Sequence, residues 1–277
     1  MPSGDSPDSG RRSALVPAGG AIEYELRPPP GAADLRVLAI NTTDGPSTAA
    51  PLARRSSVLP TPVDSARLGS GYLSRAAWGA DESLRFGPNG EELFPPAFFN
   101  VQTLTVHHTV TANDDPDPAA TVRAVYFFYT VTQDFGDIGY HLLVDRFGFV
   151  YEGRWSGPDP IPVFAGRSTG PLPQMSNGAH VGGFNAGNVG VALLGDLTTA
   201  RPTPAARGAL VQVLAALARV TKLDPLGTTA YVNPISGATR TVKTIAGHRD
   251  WLATECPGGA FYPTLPTLRT EVADALG

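Results

Sequence analysis

The chain has 277 residues, 42% of them hydrophobic and 17% charged, a balance that suits a folded core under a solvated surface. A net charge of -4 argues against a nucleic-acid binder, which carries a basic excess or stripe. No apolar stretch approaches the roughly 20 residues of a membrane-spanning helix, and the run at 13–16 behind Arg11-Arg12 is far shorter than the ~7–15 apolar residues of a secretion signal.

Residues 1–72 are rich in Pro, Gly, Ser and Ala, with Pro28-Pro29-Pro30 and Gly45-Pro46-Ser47 as examples. Only residues 35–40 read as a strand there, so the region is expected to be an extended, mostly irregular arm without a core of its own. From residue 73 to the C-terminus strands and helices alternate. Leu104-Thr105-Val106-His107 is a short apolar strand. Asp117-Pro118 supplies a cap and a first-turn proline for a helix carrying Val122, Val125, Tyr126 and Tyr129 on one face. Two strands, 140–144 and 149–152, join across Asp145-Arg146-Phe147-Gly148 as a hairpin. A loop spans 155–177, long enough to suggest function rather than connection. Residues 189–194 form a continuous apolar run typical of a central strand. Thr203-Pro204 opens a second helix with Leu210, Val213, Leu214, Leu217 and Val220 in a stripe. Residues 242–246 read as one more strand, and Leu265, Leu268, Val272 and Leu276 mark a C-terminal helix. The pattern predicts an α/β domain with a single mixed β-sheet flanked by helices.

All five histidines fall after residue 106: His107, His108, His141, His180 and His248. The sharpest local signal is Gly247-His248-Arg249, followed by Cys256-Pro257-Gly258 eight residues after the histidine. Cys256 is the sole cysteine, so no intramolecular disulfide is possible. Imidazole and thiolate are ligands that zinc favours, and an irregular loop of this length can fold both onto one ion. A third ligand is available at His107 or His108, of which only one can face a site, because strand side chains alternate. Three protein ligands leave a fourth tetrahedral position for water, the arrangement of a catalytic zinc. Taken singly, each histidine can equally be explained as satisfying a buried hydrogen bond.

Five blocks, in order, carry a family resemblance: Arg75-Ala76-Ala77-Trp78-Gly79; Val106-His107-His108-Thr109; Gly139-Tyr140-His141 with Asp145-Arg146-Phe147-Gly148; Gly178-Ala179-His180 with Asn185; and Gly247-His248-Arg249 to Cys256-Pro257-Gly258. Residues 74–277, roughly three quarters of the chain, resemble the peptidoglycan-recognition protein and phage-lysozyme type family of N-acetylmuramoyl-L-alanine amidases. The resemblance implies one zinc ion per chain, held by His107, His248 and Cys256. It implies a catalytic tyrosine at Tyr140, and a hydrogen-bonding role for Thr254, which stands where the phage enzymes carry lysine and the animal amidases threonine. His180 and Asn185 are expected on the substrate side of the cleft, with His180 alternatively supporting the site from behind; Arg75 and Trp78 look like packing.

Receptor-only members of the family typically lack the zinc cysteine, so Cys256 favours an enzyme over a binding module. The implied partner is peptidoglycan or its muropeptides, the implied setting the cell wall or extracellular space, and the chain is expected to act as a monomer. One departure stands out. Family members pass from the hairpin to Gly-Ala-His within a few residues, whereas here Arg154 and Gly178 are separated by 23 residues with five prolines. That loop is expected to form one wall of the groove.

Overall fold

The computed structural model describes residues 72–158, 162–166 and 172–277. The arm expected over 1–72, including its strand at 35–40, lies outside the described residues except for Tyr72, which opens the first strand. The elements run β1 (Tyr72–Leu73), α1 (Arg75–Trp78), β2 (Phe98–Asn100), β3 (Thr103–His108), α2 (Pro118–Phe127), β4 (Leu142–Val144) and β5 (Val150–Glu152). There follow β6 (Gln174–Ser176), β7 (Asn188–Leu193), α3 (Pro204–Thr221), β8 (Thr228–Val232), β9 (Thr239–Lys243), β10 (Ile245–Gly247) and α4 (Leu265–Asp274).

Six strands make one mixed sheet in the order β1-β5-β4-β7-β3-β10. The β4–β5 hairpin is its antiparallel pair, and the other neighbours run parallel. Parallel strands need both faces covered, and alternation along each strand supplies two apolar surfaces. Leu104, Val106, Leu142, Val144, Val189, Val191 and Leu193 pack with Leu210, Val213, Leu214 and Leu217 of α3 and Leu265, Leu268 and Val272 of α4. Leu143, Tyr151 and Ala192 pack with Trp78 of α1 and Val122, Val125 and Tyr126 of α2. Among the described residues, no helix is long and apolar enough to cross a membrane.

The helix starts follow the capping chemistry read in the sequence. Asp117 accepts the Ala120 N–H at 3.1 Å and Thr203 Oγ1 accepts the Ala206 N–H at 3.1 Å, each beside a first-turn proline. After Phe127 the helix widens into a π-turn over Phe128–Thr132. Tyr129, within that turn, packs partly buried against the cluster that holds Val122, Val125 and Tyr126, the face the sequence predicts.

Three expectations change. The strand read at 242–246 is two strands: β9 pairs with β8 in a separate hairpin, while β10 joins the main sheet after Thr244. Leu276 lies beyond the end of α4 and packs partly buried against the core. The loop expected over 155–177 contains β6, paired antiparallel with β2, and its described part sends Val163, Phe164 and Met175 into the main core. That part packs into the core.

Beside α2, where Arg75 lies 4.9 Å from the Tyr126 ring centroid, a buried ion cluster fixes the approach to β4. Asp137 receives Arg75 Nη1 at 3.0 Å and Arg154 Nη1 at 2.9 Å, along with the backbone N–H groups of Ile138 and Trp155. Both side chains of the Asp137–Arg154 pair are 0% exposed. Burial opposes the Asp137 charge, but the Arg75 and Arg154 guanidiniums and the Trp155 N–H outweigh it and hold the carboxyl below its ordinary range. A depressed folded pKa contributes stability above about pH 4 that is lost as pH falls through the folded value. Asp137→Asn is expected to lower stability by about 3–5 kcal/mol at neutral pH, the usual cost of stripping one partner from a buried pair. Urea unfolding of both proteins across pH checks this; the gap between them should narrow below pH 4, and a gap that stays constant would refute the assignment.

Candidate active site

Register brings the metal-type donors together. β10 runs beside β3 with Gly247 opposite Val106, so His248, the next residue, emerges beside His107 with ring centroids 4.7 Å apart. The chain then turns through residues 248–250, where Asp250 accepts the Gly247 N–H at 2.8 Å. It returns so that Arg249 N–H meets the Cys256 carbonyl at 3.0 Å. Thr254 Oγ1 accepts the Cys256 N–H at 3.2 Å, pinning the cysteine from two residues away. Gly258 closes the loop at φ +102°, where an added Cβ would lie 2.3 Å from the Leu197 backbone. Only glycine fits there.

One ligand atom each from His107, His248 and Cys256 lies within 4.8 Å of the others. Cys256 Sγ is 3.6 Å from His107 Nδ1 and accepts the His108 N–H at 3.4 Å. His108 itself faces the other side of the strand, where its Nδ1 accepts the Leu197 N–H at 3.0 Å. Of the adjacent histidines, His107 faces the other two donors and His108 faces away.

The donor set has the chemistry a zinc ion requires. Burial, reinforced by the neighbouring imidazoles His248 and His180, holds His107 well below its ordinary pKa, and burial brings His248 down to about 4. Both rings are therefore neutral near pH 7, as ligating imidazoles must be. Burial pushes the Cys256 thiol up to about 12, against the His108 N–H and the Arg249 guanidinium; a divalent cation among the three would reverse that and deprotonate it.

His180 orients His107 from behind. Its Nε2 is 2.8 Å from the Asn188 carbonyl, which can only accept, so the proton sits on Nε2 and leaves Nδ1 as an acceptor. His107 Nε2 lies 3.0 Å from that Nδ1 and must donate to it. The His107 Nδ1 lone pair is thereby turned toward Cys256. Carbonyl, imidazole and imidazole form a relay that selects the tautomer a metal needs. Gly190 makes room for it, since a Cβ there would lie 2.6 Å from the His180 ring.

His180 is buried, and Asn185 is wholly so. The Asn185 carbonyl oxygen accepts the N–H groups of His180 at 2.8 Å and Val181 at 2.7 Å. Asn185, expected to meet substrate, uses its side-chain oxygen here to fold the turn that presents His180. His141 is also structural, with Nε2 2.7 Å from the Ser176 carbonyl and Nδ1 accepting the Gly190 N–H at 2.9 Å.

Tyr140 completes the group. Its ring centroid is 5.1 Å from that of His107, and its hydroxyl is 2.8 Å from the Tyr129 hydroxyl. Burial pushes Tyr140 well above the ordinary phenol range and Tyr129 up to about 12, so both keep their protons at neutral pH. Sequence reading treated Tyr129 as part of an apolar stripe. The available signal was chemical: a tyrosine in a packed stripe still needs a partner for its hydroxyl.

Comparison with known proteins places the chain among relatives. The family model described as N-acetylmuramoyl-L-alanine amidase matches residues 98–259. The human protein named N-acetylmuramoyl-L-alanine amidase is 31% identical over 171 residues, covering 59% of this chain and 23% of that one. The chain spans about a quarter of the length of this relative and of its pig and mouse counterparts. Peptidoglycan-recognition protein LB of Drosophila melanogaster is 27% identical over 208 residues, 72% of each chain. A solved structure of the Drosophila LB protein overlays with a TM-score of 0.49 at 24% identity, covering 71% of this chain and 92% of that one.

Proposed function

The chain belongs to the N-acetylmuramoyl-L-alanine amidase family, and from that premise we propose that it is a zinc-dependent hydrolase of bacterial peptidoglycan. The bond cut is the amide between the lactyl group of N-acetylmuramic acid and L-alanine. The observation that carries this reading is the His107–His248–Cys256 cluster, buried at His107 and half-buried at the other two, with the Tyr140 phenol beside it. A receptor needs to hold a ligand; it has no use for a thiol and two neutral imidazoles gathered at one point.

His107, His248 and Cys256 would hold the ion. When bound, zinc polarises a carbonyl oxygen and lowers the pKa of a water ligand toward neutrality. The chain's own groups do the rest. Hydrolysis breaks the lactyl C–N bond, delivers the water's hydroxyl to the acyl carbon and returns a proton to the alanine nitrogen. Negative charge gathers on the carbonyl oxygen as the carbon becomes tetrahedral, and the Tyr140 hydroxyl donates a hydrogen bond to it. Thr254 keeps Cys256 in place through the backbone bond described above. His180 keeps His107 in the ligating tautomer. The substrate's location assigns the protein to the cell wall or the extracellular space.

The test is product analysis. Zinc-loaded protein incubated with purified peptidoglycan is expected to release intact stem peptides with a new N-terminal L-alanine, identified by mass spectrometry. The glycan should retain its lactyl carboxylate. Retention on peptidoglycan with no released peptide would mark a binding module, and cuts inside the stem peptide would mark an endopeptidase; either result removes the amidase reading.

A further inference from the structure

We infer that Tyr129 is a positioning residue for Tyr140, donating the hydrogen bond that leaves the Tyr140 proton free to meet charge on the substrate. The inference rests on the amidase reading and deepens it. Two hydroxyl oxygens 2.8 Å apart share one proton between them. If Tyr140 donates to Tyr129, its only proton is committed there and none remains for the carbonyl oxygen. If Tyr129 donates, Tyr140 becomes an acceptor on one side and a donor on the other. The chain O–H···O–H···O is then polarised in one direction, and each bond strengthens the next.

The fold holds the two phenols from opposite sides. Tyr129 sits in the π-turn Phe128–Thr132, closed by the Gln133 N–H to the Phe128 carbonyl at 2.9 Å. The next bond, from the Phe135 N–H to the Tyr129 carbonyl at 3.0 Å, fixes the backbone of Tyr129 itself. Its ring is walled by Phe128 and Phe135, with centroids 5.6 and 5.8 Å away, and meets the Tyr140 ring edge-on at 5.3 Å. Tyr140 is positioned separately, three residues after Asp137 and its two arginines. Among the described residues, Tyr140 is the one hydrogen-bond partner the Tyr129 hydroxyl has. A π-turn is an uncommon element often found at functional sites. Here it delivers a phenol to a phenol.

Four zinc-loaded proteins test this: parent, Tyr129→Phe, Tyr140→Phe and the double variant, each measured for kcat and KM on a muropeptide, zinc content and Tm. Tyr129→Phe is expected to lower kcat about tenfold, the scale of one neutral hydrogen bond, with KM and zinc content near parental. The double variant should be no slower than Tyr140→Phe, and the two Tm losses should be non-additive, which reads the bond without reference to turnover. Parental kcat in Tyr129→Phe while Tyr140→Phe is impaired would overturn the inference and leave the amidase reading intact. So would independent, multiplying losses in the double variant, which mark mere packing. A parent that releases no peptide would overturn the amidase reading itself and this inference with it.

Discussion

Cys256→Ser is expected to strip zinc from the protein and to take hydrolysis below detection. The substitution keeps size and shape but exchanges a soft, ionisable sulfur for a hydroxyl that stays neutral and ligates poorly. Two imidazoles remain, and the soft anionic donor is gone. The loop should still close, because it is built by the Arg249–Cys256 backbone bond, the Thr254 hydroxyl and Gly258 rather than by the sulfur. Metal analysis after dialysis should fall from about one zinc per chain to none, with the fold retained by circular dichroism. His107→Ala and His248→Ala should behave alike. His108→Ala is the control: its ring accepts the Leu197 N–H on the far side of the strand, so zinc content should stay near that of the parent. A Cys256→Ser protein with full zinc and full turnover would show that the donor set has been misassigned.

Tyr140→Phe separates chemistry from metal binding. The phenol lies outside the triad, so zinc content should be unchanged. Losing one preorganised donor to an oxyanion costs ~100-fold or more in turnover, and that is the expected fall in kcat. KM should move little, because the bond strengthens mainly as charge develops in the transition state. Kinetics on a defined muropeptide decide the matter. Parental kcat in this variant would reduce Tyr140 to packing and move the search for the donor to Thr254, which is half-buried in the same loop as Cys256.

Much of this architecture was readable in the sequence because its signals are local. Residues 189–194 and the stripe from Leu210 to Leu217 announce a buried strand and its covering helix through periodicity alone. Rare donor types on an irregular loop announce His248 and Cys256. What stayed hidden depends on partners far away in the chain. β2 and β6 are three residues each, and pairing across about 75 positions is all that makes them a sheet. Residues 242–246 read as one strand, and the change of partner at Thr244 leaves no mark in composition. Asn185 shows the same limit at the site: a polar residue beside a histidine can face substrate or fold its own turn, and its composition does not distinguish them. The choice of His107 over His108 follows from strand direction and face, which the adjacent pair alone cannot reveal.

The position of β10 has a consequence for the order of assembly. His107 is made early, but the strand that brings its partners pairs with β3 across 141 residues of chain, Leu104 against Ile245. Contacts so distant carry a large loop-closure entropy and form late in folding. Until that edge strand docks, the chain can have a hairpin, helices and most of a sheet and still own one donor out of three. The complete donor set therefore arrives with the last strand, and a partly synthesised or partly folded copy holds one donor of the three.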